Sequence, residues 1–189
     1  MTTPPPDRLT VLPAEISDRD ALYALHREAR LENDAQISPS YAFAKAADGY
    51  YETYWRDALL RSDQTVLKAT LRSGAALNLA GFAAVGVADA YDGITTEGYA
   101  ELHQIYIAPS FQRQGIGHVL FDACIDQAHA SGAKGLLINV LGIPNGPVND
   151  GAIAFYQAQG AVQIGISHEV REHQGEEFQL ACPLLLREF

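Results

Sequence analysis

The stretch YAELHQIYIAPSFQRQGIGHVLFDACIDQAHAS, residues 99–131, decides the fold of this chain. Its first part, residues 99–107, is rich in aromatic and β-branched residues, which predicts a strand. Pro109 and Ser110 end that strand. From Ile116 the apolar residues recur at helical spacing. The stretch therefore predicts a strand, a short turn that contains glycine, and a helix.

The turn Gln112-Arg113-Gln114-Gly115-Ile116-Gly117 lies at the predicted N-terminus of that helix. Gly115 and Gly117 suit a backbone that turns tightly or lies close to a ligand. The first N–H groups of a helix have no partner within the helix, and the helix dipole favours negative charge there. Arg113 adds a positive charge. The turn therefore predicts an anion-binding site.

Two common phosphate-binding motifs do not match this turn. A dinucleotide fingerprint needs a third glycine where this chain has Leu120, and no Gly-Lys-Ser/Thr of a Walker A loop follows. The pattern Q/R-x-x-G-x-G/A, after an apolar strand end and Pro109, resembles the acetyl-CoA loop of the GNAT superfamily of N-acetyltransferases. In that family the loop amides hold the pyrophosphate of CoA. The alternative is an ordinary strand-to-helix turn in another α/β protein.

A second motif agrees with the first. Residues 149–160, NDGAIAFYQAQG, are similar to the family signature N-x-x-A-x-x-F-Y-x-x-x-G, with one helix and one strand between the two motifs. The apolar strand GLLINVL at 135–141 implies a parallel pair with the strand at 99–107, because a helix connects them. The element order β-α-α-β-β-β-α-β-α-β-β matches the GNAT topology over about residues 9–186.

The predicted fold is therefore a single α/β (α+β) domain over residues 9–189. The resemblance implies a central mixed, mostly antiparallel sheet, with one splayed parallel pair of strands and flanking helices. Residues 1–8 hold three prolines and are expected to form a disordered tail. Residues 33–48 contain Ser38-Pro39-Ser40 and are predicted to form a loop with at most one helical turn.

Composition limits the partners and the compartment. Thirteen Lys and Arg against 23 Asp and Glu give a net charge of −10, which argues against nucleic acid. No apolar run is long enough to span a membrane, and MTTPPPDRL lacks the apolar core of a signal peptide. Two cysteines are too few for a disulfide scaffold, so we expect a cytoplasmic protein. Cys124 lies on the apolar helix face, where a core role is expected rather than a nucleophile.

Acetyl transfer to an amine needs a base, because an alkyl amine of pKa about 10.4 is mostly protonated near pH 7. Glu101 is the candidate base, since some GNAT members carry a catalytic glutamate at the corresponding place. The alternative is a solvated glutamate on a polar strand face. His103, two residues on, projects to the same face by strand periodicity and is a second candidate base, with a substrate contact or a plain surface histidine as alternatives. Other members place the glutamate on the next strand, where this chain has Asn139, which cannot serve as a base. This departure favours Glu101, with a water chain in place of a protein base as the alternative.

Tyr156 matches the family tyrosine that donates a proton to the leaving thiolate; the alternative is a core tyrosine. Asn149 is expected to cap its helix and, by resemblance, to contact CoA. The backbone of Ile105 and Ile107 is expected to bind the pantetheine arm. No metal is expected. The cofactor-binding residues implied by the resemblance are Ile105, Tyr106, Ile107, Gln112, Arg113, Gln114, Gly115, Ile116, Gly117, His118 and Asn149.

The resemblance names acetyl-CoA as co-substrate but not the acceptor. A small-molecule primary amine is expected, with a protein N-terminus or lysine, or a non-catalytic acyl-CoA sensor, as alternatives. A homodimer is expected, as in many family members. Acids that can clamp a cationic amine lie in the regions that vary in the family: Glu28, Glu32, Asp34, Asp89, Asp92, Glu169 and Glu172. The same regions hold aromatic residues that can line a pocket instead: Tyr41, Phe43, Tyr50, Tyr51 and Trp55.

Overall fold

A computed structural model describes residues 8–189, which form seven strands and five α-helices. The strands are β1 (Arg8–Pro13), β2 (Gln64–Ser73), β3 (Ala76–Val87), β4 (Ala100–Ile107), β5 (Gly135–Asn139), β6 (Val162–His173) and β7 (Glu176–Glu188). The helices are α1 (Arg19–Ile37), α2 (Pro39–Ala47), α3 (Tyr50–Ala58), α4 (Ile116–Ala130) and α5 (Asp150–Ala158).

All seven strands form one sheet in the order β1-β2-β3-β4-β5-β7-β6. Neighbouring strands are antiparallel except β4 and β5, which are parallel. Residues 100–102 of β4 pair with residues 136–138 of β5, and the pairing then stops although β4 continues to Ile107. The two strands therefore diverge and leave an opening in the sheet. The predicted fold class, a mixed sheet with one splayed parallel pair, is confirmed.

A bulge in β4 lies at the start of this opening. Ala84 of β3 pairs with Gln104, and Val85 pairs with Leu102, so His103 is an extra residue without a partner on β3. Such an insertion bends the strand and re-aims its side chains. Leu102 packs into the core under α4, whereas Tyr106 packs on the opposite face.

The two faces of the sheet carry separate apolar cores. On one face α4 and α5 cover the sheet, and Leu120 and Phe121 of α4 are fully buried. On the other face α1 and α3 pack through Leu22 and Trp55, which are also fully buried. Burial of each leucine or phenylalanine side chain contributes about 1.5–3 kcal/mol. These cores fix the two sides of the opening between β4 and β5.

The predicted loop at residues 33–48 is wrong, because this segment is helical. Helix α1 continues to Ile37, Ser38 is extended, and α2 begins at Pro39. Proline is well tolerated at the start of a helix, since its missing N–H would have no partner there. Three helices therefore precede β2, where the sequence predicts two.

The other helix and strand boundaries differ from the predicted ones by only a few residues. The predicted tail at 1–8 lies outside the described residues apart from Arg8, which begins β1. Strands β6 and β7 are longer than predicted, and the hairpin turn shortens to Gln174 and Gly175, both of positive φ.

Cys124 is fully buried, and burial raises the pKa of its thiol to about 12, so its core role is confirmed. Within residues 8–189, no helix is both long and apolar enough to cross a bilayer.

Candidate active site

The turn before α4 contains several backbone N–H groups that have no hydrogen-bond partner within residues 8–189. Gly115 has φ +82° and Arg113 has φ +62°, a conformation that non-glycine residues seldom adopt. Side chains brace the turn, since Gln114 Nε2 donates to the carbonyl of Ser110 at 3.3 Å. The N–H groups of residues 113–117 donate to no acceptor within residues 8–189. Five N–H groups without a partner thus lie together at the positive end of the α4 dipole, which favours an anion.

The open edge of β4 presents a second row of backbone groups. The N–H of Ala108 bonds to the carbonyl of Ala80 on β3, at 2.9 Å. Because successive residues of a strand point their backbone groups to opposite sides, Ile105 and Ile107 point away from β3. They point into the opening, because the pairing with β5 has ended at Leu102.

A cavity of about 880 Å³ runs from the turn, along the open edge of β4, to α1. It includes most of the residues that the sequence predicts for the cofactor and the leaving group. These are Ile105, Tyr106, Ile107, Gln112, Arg113, Gly115, Gly117, His118, Asn149 and Tyr156. Three predicted site residues do not line it: Gln114, whose side chain turns back to Ser110, Ile116, which is buried in the core, and Glu101.

Glu101 is 3% exposed, so it is not the solvated strand glutamate of the alternative interpretation. Its carboxylate accepts hydrogen bonds from the Tyr91 hydroxyl at 2.6 Å and from the Asp89 N–H at 2.8 Å. Burial raises the pKa of Glu101, and these two hydrogen bonds act in the opposite direction. A raised pKa makes the ionised carboxylate a stronger base than a free glutamate.

Polar side chains connect Glu101 to the cavity. His103 lines the cavity, and its Nδ1 lies 3.9 Å from Glu101 Oε1, so the two residues lie on the same face. Asn139, which also lines the cavity, donates to the Tyr91 hydroxyl at 3.2 Å and to Glu169 at 2.8 Å. Glu101 is therefore two hydrogen bonds from the cavity wall, through Tyr91 and Asn139.

Within residues 8–189, one group of side chains has the composition of a metal site. Asp89, Glu101 and His103 bring one potential ligand atom each to within 4.8 Å of one another. Both oxygens of Glu101 already accept hydrogen bonds there, from Tyr91 and from the Asp89 N–H.

Tyr156 lies on α5 on the opposite side of the cavity. Asn149 caps this helix, because its Oδ1 accepts the N–H of Ala152 at 3.0 Å. The Tyr156 side chain is 7% exposed, and its hydroxyl forms no hydrogen bond within residues 8–189. Burial raises the pKa of Tyr156, and the nearby Cys124 thiol raises this pKa further, so the phenol stays protonated. An unpartnered hydroxyl in a cavity wall fits a ligand that accepts a hydrogen bond.

The end of the cavity next to α1 was missed by the sequence reasoning. Arg30 there forms an ion pair with Asp34 and donates through Nη1 to the Tyr106 hydroxyl, at 3.0 Å. Burial acts to lower the pKa of Arg30, but the charges of Tyr106 and Asp34 raise it well above its ordinary value. The i,i+4 spacing of Arg30 and Asp34 is visible in the sequence, yet Asp34 falls in the wrongly predicted loop.

The acids considered for a cationic acceptor do not assemble into one site. Asp34 is paired with Arg30, and Glu169 is paired with Arg171. The other five are exposed: Glu28, Glu32, Asp89, Asp92 and Glu172. Of the aromatic residues, Trp55 is core and Phe43 is 63% exposed, whereas Tyr41 and Tyr51 are buried next to the α1 end of the cavity.

A family model described as the acetyltransferase (GNAT) family matches residues 22–161, most of the chain. The chain belongs to the GNAT family, and it is an acetyl-CoA-dependent acyltransferase.

Three solved structures illustrate the likeness in fold. The PaiA N-acetyltransferase of Thermoplasma acidophilum in complex with coenzyme A has 18% identity and a TM-score of 0.68, covering 96% of this chain and 99% of that one. NAA60 of Arabidopsis thaliana in complex with acetyl-CoA has 16% identity and a TM-score of 0.69, with the same coverage. The ribosomal-protein-alanine N-acetyltransferase of Brucella melitensis has 22% identity and a TM-score of 0.60, covering 95% and 99%. At these identities the likeness establishes the fold alone.

Proposed function

We propose that this protein transfers the acetyl group of acetyl-CoA to the primary amine of a small molecule, by direct attack in a ternary complex. One observation carries the proposal: a single cavity joins the turn before α4, through Arg113, Gly115 and Gly117, to the open edge of β4 and to the polar end at Arg30. In the reaction the C–N bond forms and the C–S bond breaks. The amine loses a proton and the CoA sulfur gains one.

The cofactor end of the cavity suits CoA. The N–H groups of residues 113–117 bind the pyrophosphate, with help from the charge of Arg113. The outward backbone groups of Ile105 and Ile107 bind the pantetheine arm as a neighbouring strand would. One of these N–H groups polarises the thioester carbonyl. The remaining predicted contacts are Tyr106, Gln112, His118 and Asn149, all of which line the cavity.

Glu101 takes the proton of the attacking amine through a water molecule. The indirect route is needed because Glu101 does not line the cavity, whereas His103 and Asn139 do. The burial that raises the pKa of Glu101 supports this role. His103 is the alternative base, since its ring lies between Glu101 and the cavity wall.

Tyr156 supplies the proton for the leaving sulfur. A phenol is a plausible donor to a thiolate because the two groups have similar ordinary pKa values, about 10 and about 8.5. The unpartnered hydroxyl of Tyr156 in the cavity wall supports this role. Its raised pKa keeps the proton in place until the sulfur leaves.

A small acceptor is favoured because α2 packs between α1 and the β6–β7 hairpin. Tyr41 of α2 packs against Phe178 of β7, with ring centroids 5.4 Å apart. Just after α2, Asp48 contacts His173 of β6 at 3.2 Å and accepts from Gln174 at 3.0 Å. A polypeptide acceptor would need an open groove between α1 and the β6–β7 hairpin, and α2 occupies that space.

The acceptor class is tested by product analysis. The protein and acetyl-CoA are incubated with a panel of small amines and, in parallel, with peptides that offer a free N-terminus or a lysine. Mass spectrometry then identifies the acetylated product. We expect acetylation of small amines at much higher kcat/KM than any peptide. Preferential acetylation of peptides would assign the protein to the protein acetyltransferases, and no product at all would assign it to acyl-CoA sensors.

The variant Gly117→Asp is expected to lose CoA binding. A Cβ at this position would point towards Phe155, at 3.7 Å, and Ile107, at 3.9 Å, inside the cavity. The carboxylate would therefore repel the pyrophosphate while the protein still folds. CoA at 100 times its Kd stabilises the wild type by about 2.7 kcal/mol, which a rise in Tm measures. The variant should show no rise.

Gly117→Ala is the matched control, since its methyl group makes only ordinary contacts and adds no charge. It should melt like the wild type without ligand and retain a CoA-dependent rise in Tm. A normal rise in Gly117→Asp would contradict the assignment of the turn to pyrophosphate.

We propose that the protein is a homodimer and that it is located in the cytoplasm. Strand β6 is an edge of the sheet, and it exposes apolar side chains at Val162, Ile164, Ile166 and Val170, each 41–60% exposed. Such an edge is suited to pairing with a second copy around a two-fold axis. The unpaired Cys124 and Cys182 agree with a reducing compartment.

Light scattering tests the dimer. The wild type should have twice the 20.5 kDa mass of one chain, and Ile166→Lys with Val170→Lys should shift it towards the monomer. A control substitution at Val87, exposed on β3, should leave the mass unchanged. A wild-type mass of one chain at every concentration would contradict the proposal.

A further inference from the structure

The Glu101 carboxylate is bound by a tyrosine of the loop between β3 and β4. The Tyr91 hydroxyl donates to Glu101 Oε1 at 2.6 Å, and the Asp89 N–H donates to Oε2 at 2.8 Å. A hydroxyl carries one proton, so this bond uses the only proton that Tyr91 can donate. Because Glu101 is 3% exposed, its carboxylate depends on such donors in place of water. Tyr91 therefore both stabilises and orients this carboxylate.

The direction of the next hydrogen bond is fixed by the groups that meet at Asn139. Its Nδ2 lies 2.8 Å from Glu169 Oε1 and 3.2 Å from the Tyr91 hydroxyl oxygen, with Ser167 Oγ also at 3.2 Å. An ionised carboxylate can only accept, so Asn139 must turn its nitrogen, and not its amide oxygen, towards Glu169. The same nitrogen then donates to Tyr91, which leaves the tyrosine proton for Glu101.

Packing holds these residues in place from three separate elements. Tyr91 lies in the loop that precedes β4, where its carbonyl accepts the N–H of Ile94 at 3.1 Å. Asn139 is the last residue of β5, directly after the residues that pair with β4, and Glu169 belongs to β6. The ring of Tyr91 packs against three buried leucines, which are Leu137, Leu184 and Leu186. The hydroxyl of Tyr91 is thus held at a fixed place beside Glu101.

We infer that Tyr91 and Asn139 are positioning residues for the acetyl transfer. The hydrogen bonds that run from Glu169 through Asn139 and Tyr91 hold Glu101 in the orientation in which it takes the proton of the amine. The inference rests on the proposed function, since it takes Glu101 as the base. Loss of these hydrogen bonds leaves the base present but misplaced, and a misplacement of about 1 Å in an active site costs up to about 100-fold in rate.

The variant Tyr91→Phe tests the inference, because it removes the hydroxyl and keeps the ring against the leucines. Thiol release is measured with acetyl-CoA and the small amine of the panel that has the highest kcat/KM. We expect kcat to fall by about 10- to 100-fold, with KM for the amine changed by less than about twofold. The CoA-dependent rise in Tm should be retained. The control Tyr99→Phe removes a hydroxyl from another tyrosine that packs on the same leucines, and it should leave kcat unchanged.

Double variants show whether both residues act through Glu101. In the Glu101→Gln background the base is already absent, so adding Tyr91→Phe should lower kcat by less than about twofold. Asn139→Leu removes the donor to Tyr91 and should lower kcat by about 2- to 10-fold, the effect of one neutral hydrogen bond. In the Tyr91→Phe background it should cause no further loss. A general structural defect would instead lower kcat by the same factor in every background.

The outcomes separate the positioning role from the proposed function. If Tyr91→Phe retains the wild-type kcat, or if its loss multiplies with that of Glu101→Gln, the positioning role is overturned and the proposed function stands. If Tyr91→Phe does not fold, Asn139→Leu with and without Glu101→Gln gives the same decision. If Glu101→Gln alone retains the wild-type kcat, another group is the base and the inference fails with Glu101. If the wild type acetylates no amine, the proposed function itself is overturned.

Discussion

Replacing Glu101 by glutamine is expected to lower kcat/KM by about 10²–10⁴-fold near neutral pH, the range typical of a lost general base. Glutamine keeps the shape of the side chain but cannot accept the proton. The loss should shrink at high pH, because the amine then arrives already neutral. In the wild type, activity should fall as the pH drops through the raised pKa of Glu101, since only the ionised carboxylate is a base. The variant should lack this dependence.

This prediction is tested by measuring kcat/KM against pH for the wild type and for Glu101→Gln. Glu97→Gln, which changes an exposed glutamate in the loop before β4, is the matched control. The CoA-dependent rise in Tm should be retained in both variants, because the turn at 112–117 is elsewhere. If Glu101→Gln retains the wild-type profile, another group is the base. His103 is then the next candidate, and His103→Gln would be measured in the same way.

Replacing Tyr156 by phenylalanine is expected to lower kcat by about 10²–10⁴-fold at every pH. The ring and its packing against Phe121 remain, but the proton donor is lost. Raising the pH does not repair this loss, since the thiolate still leaves without a positioned proton. The two variants should therefore differ in the pH dependence of their defects.

Rate against pH for Tyr156→Phe separates this role from packing. The control Tyr23→Phe removes a hydroxyl from a half-buried tyrosine of α1 and should be fully active. If Tyr156→Phe is also fully active, Tyr156 is a packing residue and solvent protonates the sulfur. A loss that disappears at high pH would also contradict the assignment.

Much of the cofactor end could be predicted because it depends on local sequence. The turn at 112–117 joins a strand directly to a helix, and Asn149 caps the helix that carries Tyr156. In both cases the residues that form the backbone feature also line the cavity. Periodicity and glycine placement are therefore sufficient to locate them.

The acceptor end could not be predicted, because it depends on contacts between distant residues. Arg30 meets Tyr106 across 76 positions of sequence, and Asn139 meets Glu169 across 30. Pro39 predicts a break in the helical pattern, although it begins α2, whose Lys45 is buried. Simple strand alternation also does not predict that His103 is a bulge residue, since the register of β3 determines it.

Release of free CoA thiol from acetyl-CoA, measured with and without an amine, tests directly whether the cavity performs acyl transfer. With the wild type, thiol should appear only when an accepted amine is present, in a one-to-one ratio with the acetylated amine. The rate should fall in Glu101→Gln and Tyr156→Phe. If acetyl-CoA raises the Tm of the wild type but no amine or peptide causes thiol release, the protein binds acetyl-CoA without transferring its acetyl group.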